Sequence, residues 1–367
     1  MRIFFSGGGT GGHLYPALAI ARAVVRLRGD VEPFFIGARR GIERDVLPGT
    51  EFEHLLLDLH PLYRSRPWQN WRTLRGFAGA WREIDRVASL GRPSAVVGTG
   101  GYAAGAALAW ASRRGVPFAI QEQNSFPGLT VRYFARRARE VWLGFPEAAS
   151  RLRLRSPDAA VDTGNPISPP PAQRPTREAA RSLWGLPPDD GSVLLVSGGS
   201  QGARALNEAV AEWIRAGLPP SMSMIWATGR ASFDSFRQFE APRVRVRAYL
   251  DPMADAYAAA DLALTRAGAM TTAELSAWGL PMVLVPLPTA AADHQTANAL
   301  ALERAGAAVH LPQSRLSVQT LREVVVPLAT DASRRTALAR GALHRARPHA
   351  ADQIAERLLR LASSAQG

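Results

Sequence analysis

The stretch that decides the fold is Arg2-Ile3-Phe4-Phe5-Ser6-Gly7-Gly8-Gly9-Thr10-Gly11-Gly12-His13, with a counterpart in Leu194-Leu195-Val196-Ser197-Gly198-Gly199-Ser200-Gln201-Gly202-Ala203. Each is a short apolar run that breaks into glycines and then into a helical pattern, over 16–28 in the first case and 203–216 in the second. Strand, glycine turn and helix in that order open a parallel βαβ unit, where turn amides can approach a phosphate closely. Two such openings in 367 residues imply two domains, as does the length at roughly 150 residues per domain.

Working outward, apolar runs at 2–6, 32–36, 95–97, 118–121 and 140–143 read as strands of the first half. Those at 192–197, 223–227, 244–248, 262–265 and 282–286 read as strands of the second. Helical patterns alternate with them, which implies parallel sheets covered on both faces. The break falls at Gly164-Asn165-Pro166, followed by Pro169-Pro170-Pro171 and Pro175, a cluster that neither a helix nor a central strand accommodates. The expected architecture is α/β, with two Rossmann-like doubly wound domains at 1–164 and 165–345 facing across a cleft. Ligands in such sheets sit beyond the carboxyl ends of the strands.

Composition removes several chemistries. Cysteine is absent and all 44 basic residues are arginine, which excludes thiolate nucleophiles, disulfides, Schiff-base lysines and the lysine of a Walker loop. The net charge of +13 points to an anionic partner (a phosphate-bearing ligand, nucleic acid or an acidic membrane face) or simply to an arginine-rich surface. No recognition-helix motif or aromatic-basic RNA signature accompanies the charge, so nucleic acid is not expected. The longest uncharged run, 95–112, contains Gly98, Gly100, Gly101 and Gly105 and reads as strand, turn and helix rather than a membrane span. The first residues run straight into glycines without a signal-peptide pattern, and a cytoplasmic location is expected.

Gly7–Gly12 satisfies G-x-G-x-x-G, but a nicotinamide-binding fold needs an acidic residue at the end of its second strand. Here that strand ends in Gly37-Ala38-Arg39-Arg40. NAD is thereby disfavoured, while an NADP-dependent oxidoreductase with Arg39 and Arg40 on the extra phosphate stays open as a rival. His13 stands where the first helix starts, where the dipole favours a neutral imidazole able to accept a proton; a packing or loop-capping histidine is the plainer alternative. Ser200 offers a hydroxyl for a phosphate or uracil, or an N-cap. Glu274 would accept both hydroxyls of a ribose, yet Thr271 and Glu274 also have capping-box spacing. No D-x-D metal signature and no Ser-His-Asp order stand out.

The motifs converge on one resemblance. Gly7–His13, Gly98-Thr99-Gly100-Gly101-Tyr102, Gln121-Glu122-Gln123-Asn124, Gly164-Asn165-Pro166, Gly198–Arg204, Gly268–Glu274 and Asp293-His294-Gln295-Thr296-Ala297-Asn298-Ala299 occur in the order expected of one family. Over about residues 1–304 the chain closely resembles the MurG family of peptidoglycan N-acetylglucosaminyltransferases. The resemblance implies a GT-B fold whose final segment, 346–367, returns as a helix to the N-terminal domain. It implies inverting transfer of N-acetylglucosamine from UDP-N-acetylglucosamine to the 4-hydroxyl of a lipid-linked muramyl-pentapeptide, with no cofactor and no protein-bound metal. Donor contacts would fall on Thr10, Gly11, Gly12, Asn124, Ser200, Leu250, Ala269, Met270, Thr271, Thr272, Ala273, Glu274 and Gln295, and Tyr102 would serve the acceptor. One departure is Ser168, where the family often carries an arginine two residues after the proline of Gly-Asn-Pro; Arg204 or Arg266 would have to replace that pyrophosphate contact. A related lipid glycosyltransferase with another sugar or acceptor would share most of these motifs.

The implied chemistry suits the residues present. UDP is already a good leaving group, and amides at glycine loops and helix N-termini stabilise its developing charge without a cation. One base must deprotonate the acceptor hydroxyl. His13 is the first candidate and Glu122 the second. A lipid-linked acceptor also demands a peripheral station on the anionic cytoplasmic face of the cell membrane. If 70–87 is helical, Trp71, Leu74, Phe77 or Ala78, Trp81 and Ile84 share one face, flanked by Arg72, Arg75, Arg82 and Arg86. Leu74 and Trp81 would anchor this surface, unless the stripe packs on the sheet as core.

Overall fold

A computed structural model describes residues 1–60, 68, 70–187, 191–199 and 203–364, without the side chains of 70–72 and 74. The chain divides into two compact units, Met1–Ser168 with His349–Gly367, and Pro169–Pro348. The first contains strands β1 (Arg2–Ser6), β2 (Glu32–Ala38), β3 (Glu53–Leu57), β4 (Ala95–Gly98), β5 (Phe118–Glu122), β6 (Glu140–Leu143) and β7 (Ala160–Asp162). The second contains β8 (Ser192–Ser197), β9 (Met222–Ala227), β10 (Val244–Arg247), β11 (Leu262–Thr265), β12 (Met282–Leu284) and β13 (Ala308–His310).

Both sheets are parallel throughout. Their orders are β3-β2-β1-β4-β5-β6-β7 and β10-β9-β8-β11-β12-β13, so each unit has its first strand in the middle and reverses direction beside it. That reversal makes a crevice at the carboxyl ends of the first strand and its neighbour. Three strands that hydropathy did not mark, β3, β7 and β13, are all edge strands. An edge strand pairs on one side only, and β3 is correspondingly half-exposed along most of its length.

Alternation along the central strands sorts the core of the first unit. Ile3, Phe5 and Phe35 point to one face, Phe4, Phe34 and Ile36 to the other. The first face is covered by the helices Gly11–Leu27 and Ala350–Ser363, the latter contributing Ile354, Ala355, Leu358 and Ala362. Arg357 Nε donates to Glu140 Oε2 at 2.7 Å and an Arg26–Asp352 pair lies along the same helix. The second face is covered by the helices Asn70–Leu90, Ala104–Arg114 and Leu129–Phe134.

The helix Asn70–Leu90 resolves the two readings of its stripe by dividing it. Ala80, Ile84 and Val87 are buried in the core and Trp81 packs partly against it, while Phe77 stays exposed beside exposed Arg75 and Arg82. The Leu74 side chain lies outside the described residues. No described helix is long and apolar enough to cross a membrane.

Candidate active site

The loops after β1, β4 and β5 are neighbours because those strands are adjacent in the sheet. This adjacency collects 7–13, 99–103 and 123–128 at one carboxyl edge. The helix after β1 begins at Gly11, five residues before the apolar periodicity does, with Thr10 as its extended N-cap. His13 therefore sits in its first turn.

His13 Nδ1 lies 3.1 Å from Thr99 O and 2.9 Å from Gln123 Oε1. A backbone carbonyl only accepts, so Nδ1 carries the proton and the lone pair is on Nε2. No described residue hydrogen-bonds Nε2. Thr99 Oγ1 donates to His13 O at 2.7 Å and binds the two loops a second time. At Gly101, with φ of 73°, an added Cβ would stand 2.1 Å from Gly8 O. Only glycine permits that approach. The Tyr102 ring lies against Gly9, where a Cβ would come within 2.8 Å of its Cε1.

Glu122, at the end of β5, is buried, and both of its carboxylate oxygens are engaged. Oε1 accepts Asn124 N at 2.9 Å and Asn124 Nδ2 at 3.2 Å, and Oε2 accepts Gly128 N at 3.0 Å. The carboxylate thus shapes the loop that carries Asn124.

The sequence pattern gave no notice of Glu43. Its carboxylate is wholly buried beneath the first glycine loop, where Oε2 accepts Gly9 N at 2.9 Å and Oε1 accepts Ala38 N at 3.1 Å. A Cβ on Gly8 would lie 1.8 Å from Glu43 Oε1. The Gly9 amide therefore already has an acceptor within the protein. Arg39 Nε donates to Leu56 O at 3.0 Å and Arg40 pairs with Asp58 at 3.4 Å. The Gly9 amide that an NADP-binding loop would offer is thus already engaged, while Arg39 and Arg40 stay exposed to solvent.

In the second unit β8 and β11 are adjacent, so their loops are too. Gly199 N donates to Ser197 Oγ at 3.3 Å; Ser200 lies outside the described residues. After β11 the helix Ala269–Trp278 starts from an extended Gly268, with no side-chain cap. Thr271 is then inside the first turn, and the capping box suggested by Thr271 and Glu274 does not form. The helix starts three residues sooner than a Thr271 cap would place it. Thr272 Oγ1 bonds back to Gly268 O and Ala269 O, each at 3.1 Å, while Met270 and Ala273 are half-buried on this helix.

Glu274 is instead held by Tyr257, whose Oη donates to Oε2 at 2.6 Å. Burial raises the Glu274 carboxyl above the ordinary carboxylate range, with the tyrosine bond opposing it. Burial, and then the glutamate's charge, push the Tyr257 phenol well up. Arg266 is buried too; its guanidinium donates to Val285 O and Pro286 O at 3.1 Å each, and burial lowers its pKa. Gln295 Oε1 accepts Leu287 N at 3.0 Å, tying the helix His294–Arg304 to the loop after β12. Ala292 and Asp293 ahead of that helix both have φ of 53°, a strained conformation for residues other than glycine. Leu250 is 2% exposed. Among the described residues no cluster of three His, Asp or Glu is placed to hold a metal ion.

Two parallel-sheet Rossmann-like units in one chain, each opening with a glycine turn at the carboxyl end of a central strand, are the GT-B architecture. The chain belongs to glycosyltransferase family 28: residues 3–143 match its N-terminal domain and residues 193–354 its C-terminal domain. It is 41% identical to the UDP-N-acetylglucosamine--N-acetylmuramyl-(pentapeptide) pyrophosphoryl-undecaprenol N-acetylglucosamine transferase of Salinibacter ruber, over 98% of this chain and 96% of that protein. It is 40% identical to the protein of the same name from Moorella thermoacetica, over 99% of this chain and 100% of that protein. The crystal structure of Acinetobacter baumannii MurG superposes with a TM-score of 0.77 at 28% identity, covering 98% of this chain and 99% of that one.

Proposed function

We propose that this protein transfers N-acetylglucosamine from UDP-N-acetylglucosamine to the 4-hydroxyl of a lipid-linked muramyl-pentapeptide, inverting the anomeric centre. The acceptor hydroxyl gives its proton to His13 Nε2 as its oxygen attacks the anomeric carbon, and the bond from that carbon to UDP breaks. The observation that carries this assignment is the forced Nδ1–H tautomer of His13, which leaves the accepting lone pair on Nε2. Glu122, with both oxygens engaged, holds the Asn124 loop in this reading.

The donor is held by the second unit. The first turn of Ala269–Trp278 (Ala269, Met270, Thr271) faces the pyrophosphate, where the helix dipole favours negative charge. Arg266, three residues before that turn and without a carboxylate partner among the described residues, supplies the positive charge that Ser168 cannot. Glu274 accepts from the ribose hydroxyls. Thr10, Gly11, Gly12, Asn124, Ser200, Leu250, Thr272, Ala273 and Gln295 complete the donor contacts, and Tyr102 the acceptor's.

The enzyme works as a peripheral protein on the anionic cytoplasmic face of the membrane. Exposed Phe77 lies among Arg75 and Arg82, and exposed Leu129 and Tyr133 lie beside Arg132, Arg136 and Arg137. Both helices pack on the same core cluster, hence on one face of the sheet.

Radiolabelled UDP-N-acetylglucosamine, incubated with a short-chain lipid-linked muramyl-pentapeptide and extracted into organic solvent, tests the reaction. Label in the lipid product is expected. Label that appears only with another sugar donor or another lipid acceptor overturns the assignment.

A further inference from the structure

Behind His13 runs a chain of three buried amides, oriented by backbone carbonyls at its two ends, Asn165 and Gln123, and through Asn165 at Gln121 between them. Gln121, Gln123 and Asn165 are all at most 2% exposed. Asn165 Nδ2 lies 3.0 Å from Gln123 O, so this end of the amide is the donor and Oδ1 points the other way. Oδ1 accepts Gln121 Nε2 at 3.1 Å, which turns Gln121 Oε1 toward the next member. That oxygen accepts from Gln123 Nε2, which also donates to Thr99 O at 2.9 Å and approaches Gln121 O at 3.3 Å. Gln123 Oε1 is left facing His13 Nδ1 at 2.9 Å. Every amide in the chain therefore points the same way, from the start of the linker to the imidazole.

We propose that Gln121, Gln123 and Asn165 are positioning residues, which hold His13 as the Nδ1–H tautomer so that Nε2 is the proton-accepting atom. The proposal rests on the reading of His13 as the base. An imidazole free in water prefers the opposite tautomer, so the site must impose this one. Thr99 O alone presents a second acceptor to Nδ1, but it is shared with Gln123 Nε2. Hydrogen bonds that share a direction polarise one another, and a buried amide turned around would leave donors facing donors. Asn165 lies within the Gly-Asn-Pro segment where the chain leaves the first unit, so the linker's first residues and the base form one network.

The test uses the full chain labelled with 15N-histidine, with the His13 resonance assigned by its loss in His13→Ala. The parent should show the Nδ1–H tautomer at neutral pH. Gln123→Met keeps the side chain's length and removes its polar atoms. It should give a mixture of tautomers and lower kcat by about tenfold, with the donor KM unchanged. Gln123→Glu, which keeps an acceptor at Oε1, should restore the Nδ1–H form and shift the acidic limb of the pH–rate profile. An unchanged tautomer in folded Gln123→Met overturns the proposal. So does a mixed tautomer with unchanged kcat. His13→Ala turnover decides separately whether His13 is the base, because the tautomer is read without catalysis.

Discussion

Tyr257 Oη and Glu274 Oε2 are 2.6 Å apart, and this bond turns a residue that could have capped a helix into a half-buried acceptor on the helix face. Because burial raises the carboxyl in the folded state, the folded protein binds more protons than the unfolded chain between the two pKa values. The group's stability contribution is complete below the unfolded carboxylate range and is lost as pH rises through the raised folded value. Glu274→Gln should therefore gain stability relative to the parent on going from acidic to neutral pH. Urea midpoints at several pH values measure this. A parallel pH dependence in the two proteins would contradict it.

The same residue is expected to cost donor binding. Glu274→Ala removes a charge-assisted hydrogen bond of roughly 1.5–3 kcal/mol, which is one to two decades in the KM for UDP-N-acetylglucosamine. An intact donor KM in a folded variant would remove Glu274 from the ribose.

His13→Ala should lower kcat by about 10²–10⁴-fold with little effect on donor affinity, and flatten the acidic limb of the pH–rate profile. Near-parental turnover would transfer the role to Glu122 or to water.

Glu43 makes a structural prediction. Glu43→Leu leaves the Gly9 and Ala38 amides without their acceptor and should cost about 1–3 kcal/mol for each amide left buried and unpaired. Thermal unfolding measures it. NADPH should show no saturable fluorescence change with the parent, because Glu43 already engages the Gly9 amide.

At Ala292, φ of 53° costs an alanine about 1–2 kcal/mol that a glycine escapes, against a smaller entropic loss in the unfolded state. Ala292→Gly should raise Tm by a degree or two. A lower Tm would mean that the conformation is not strained.

Membrane docking predicts binding to vesicles that rises with anionic lipid and falls with salt. A folded Phe77→Ser/Tyr133→Ser variant should bind less in co-sedimentation. These positions report on the surface better than Trp81, which is partly packed in the core. Equal binding by variant and parent would place the docking surface elsewhere.

Much of the fold was legible in the sequence because a central parallel strand is apolar on both faces and its glycine turn is short and local. The runs at 2–6 and 192–197 identify the middle strands of both sheets for that reason. The edge strands β3, β7 and β13 were not legible, since half of their surroundings is solvent. Local pattern also named His13 and Glu274 as candidates through the glycine turns that carry them, and the family resemblance added Glu122 and Asn124. What it left open was which neighbour each would meet. The capping box of Thr271 and Glu274 was as good a local reading as any, but the helix starts earlier, from Gly268, and Glu274 meets Tyr257, 17 residues away, instead. Glu43 was invisible because an acidic residue in a polar stretch looks exposed until the glycines at 8, 37 and 41 close around it. The tautomer of His13 needed Thr99 and Gln123, 86 and 110 residues distant, brought beside it by the order β1-β4-β5. Periodicity and turn chemistry are properties of neighbouring residues, so the sequence alone determines elements and their ends. Proton positions and buried charges depend on contacts across the sheet, and only the tertiary structure decides those.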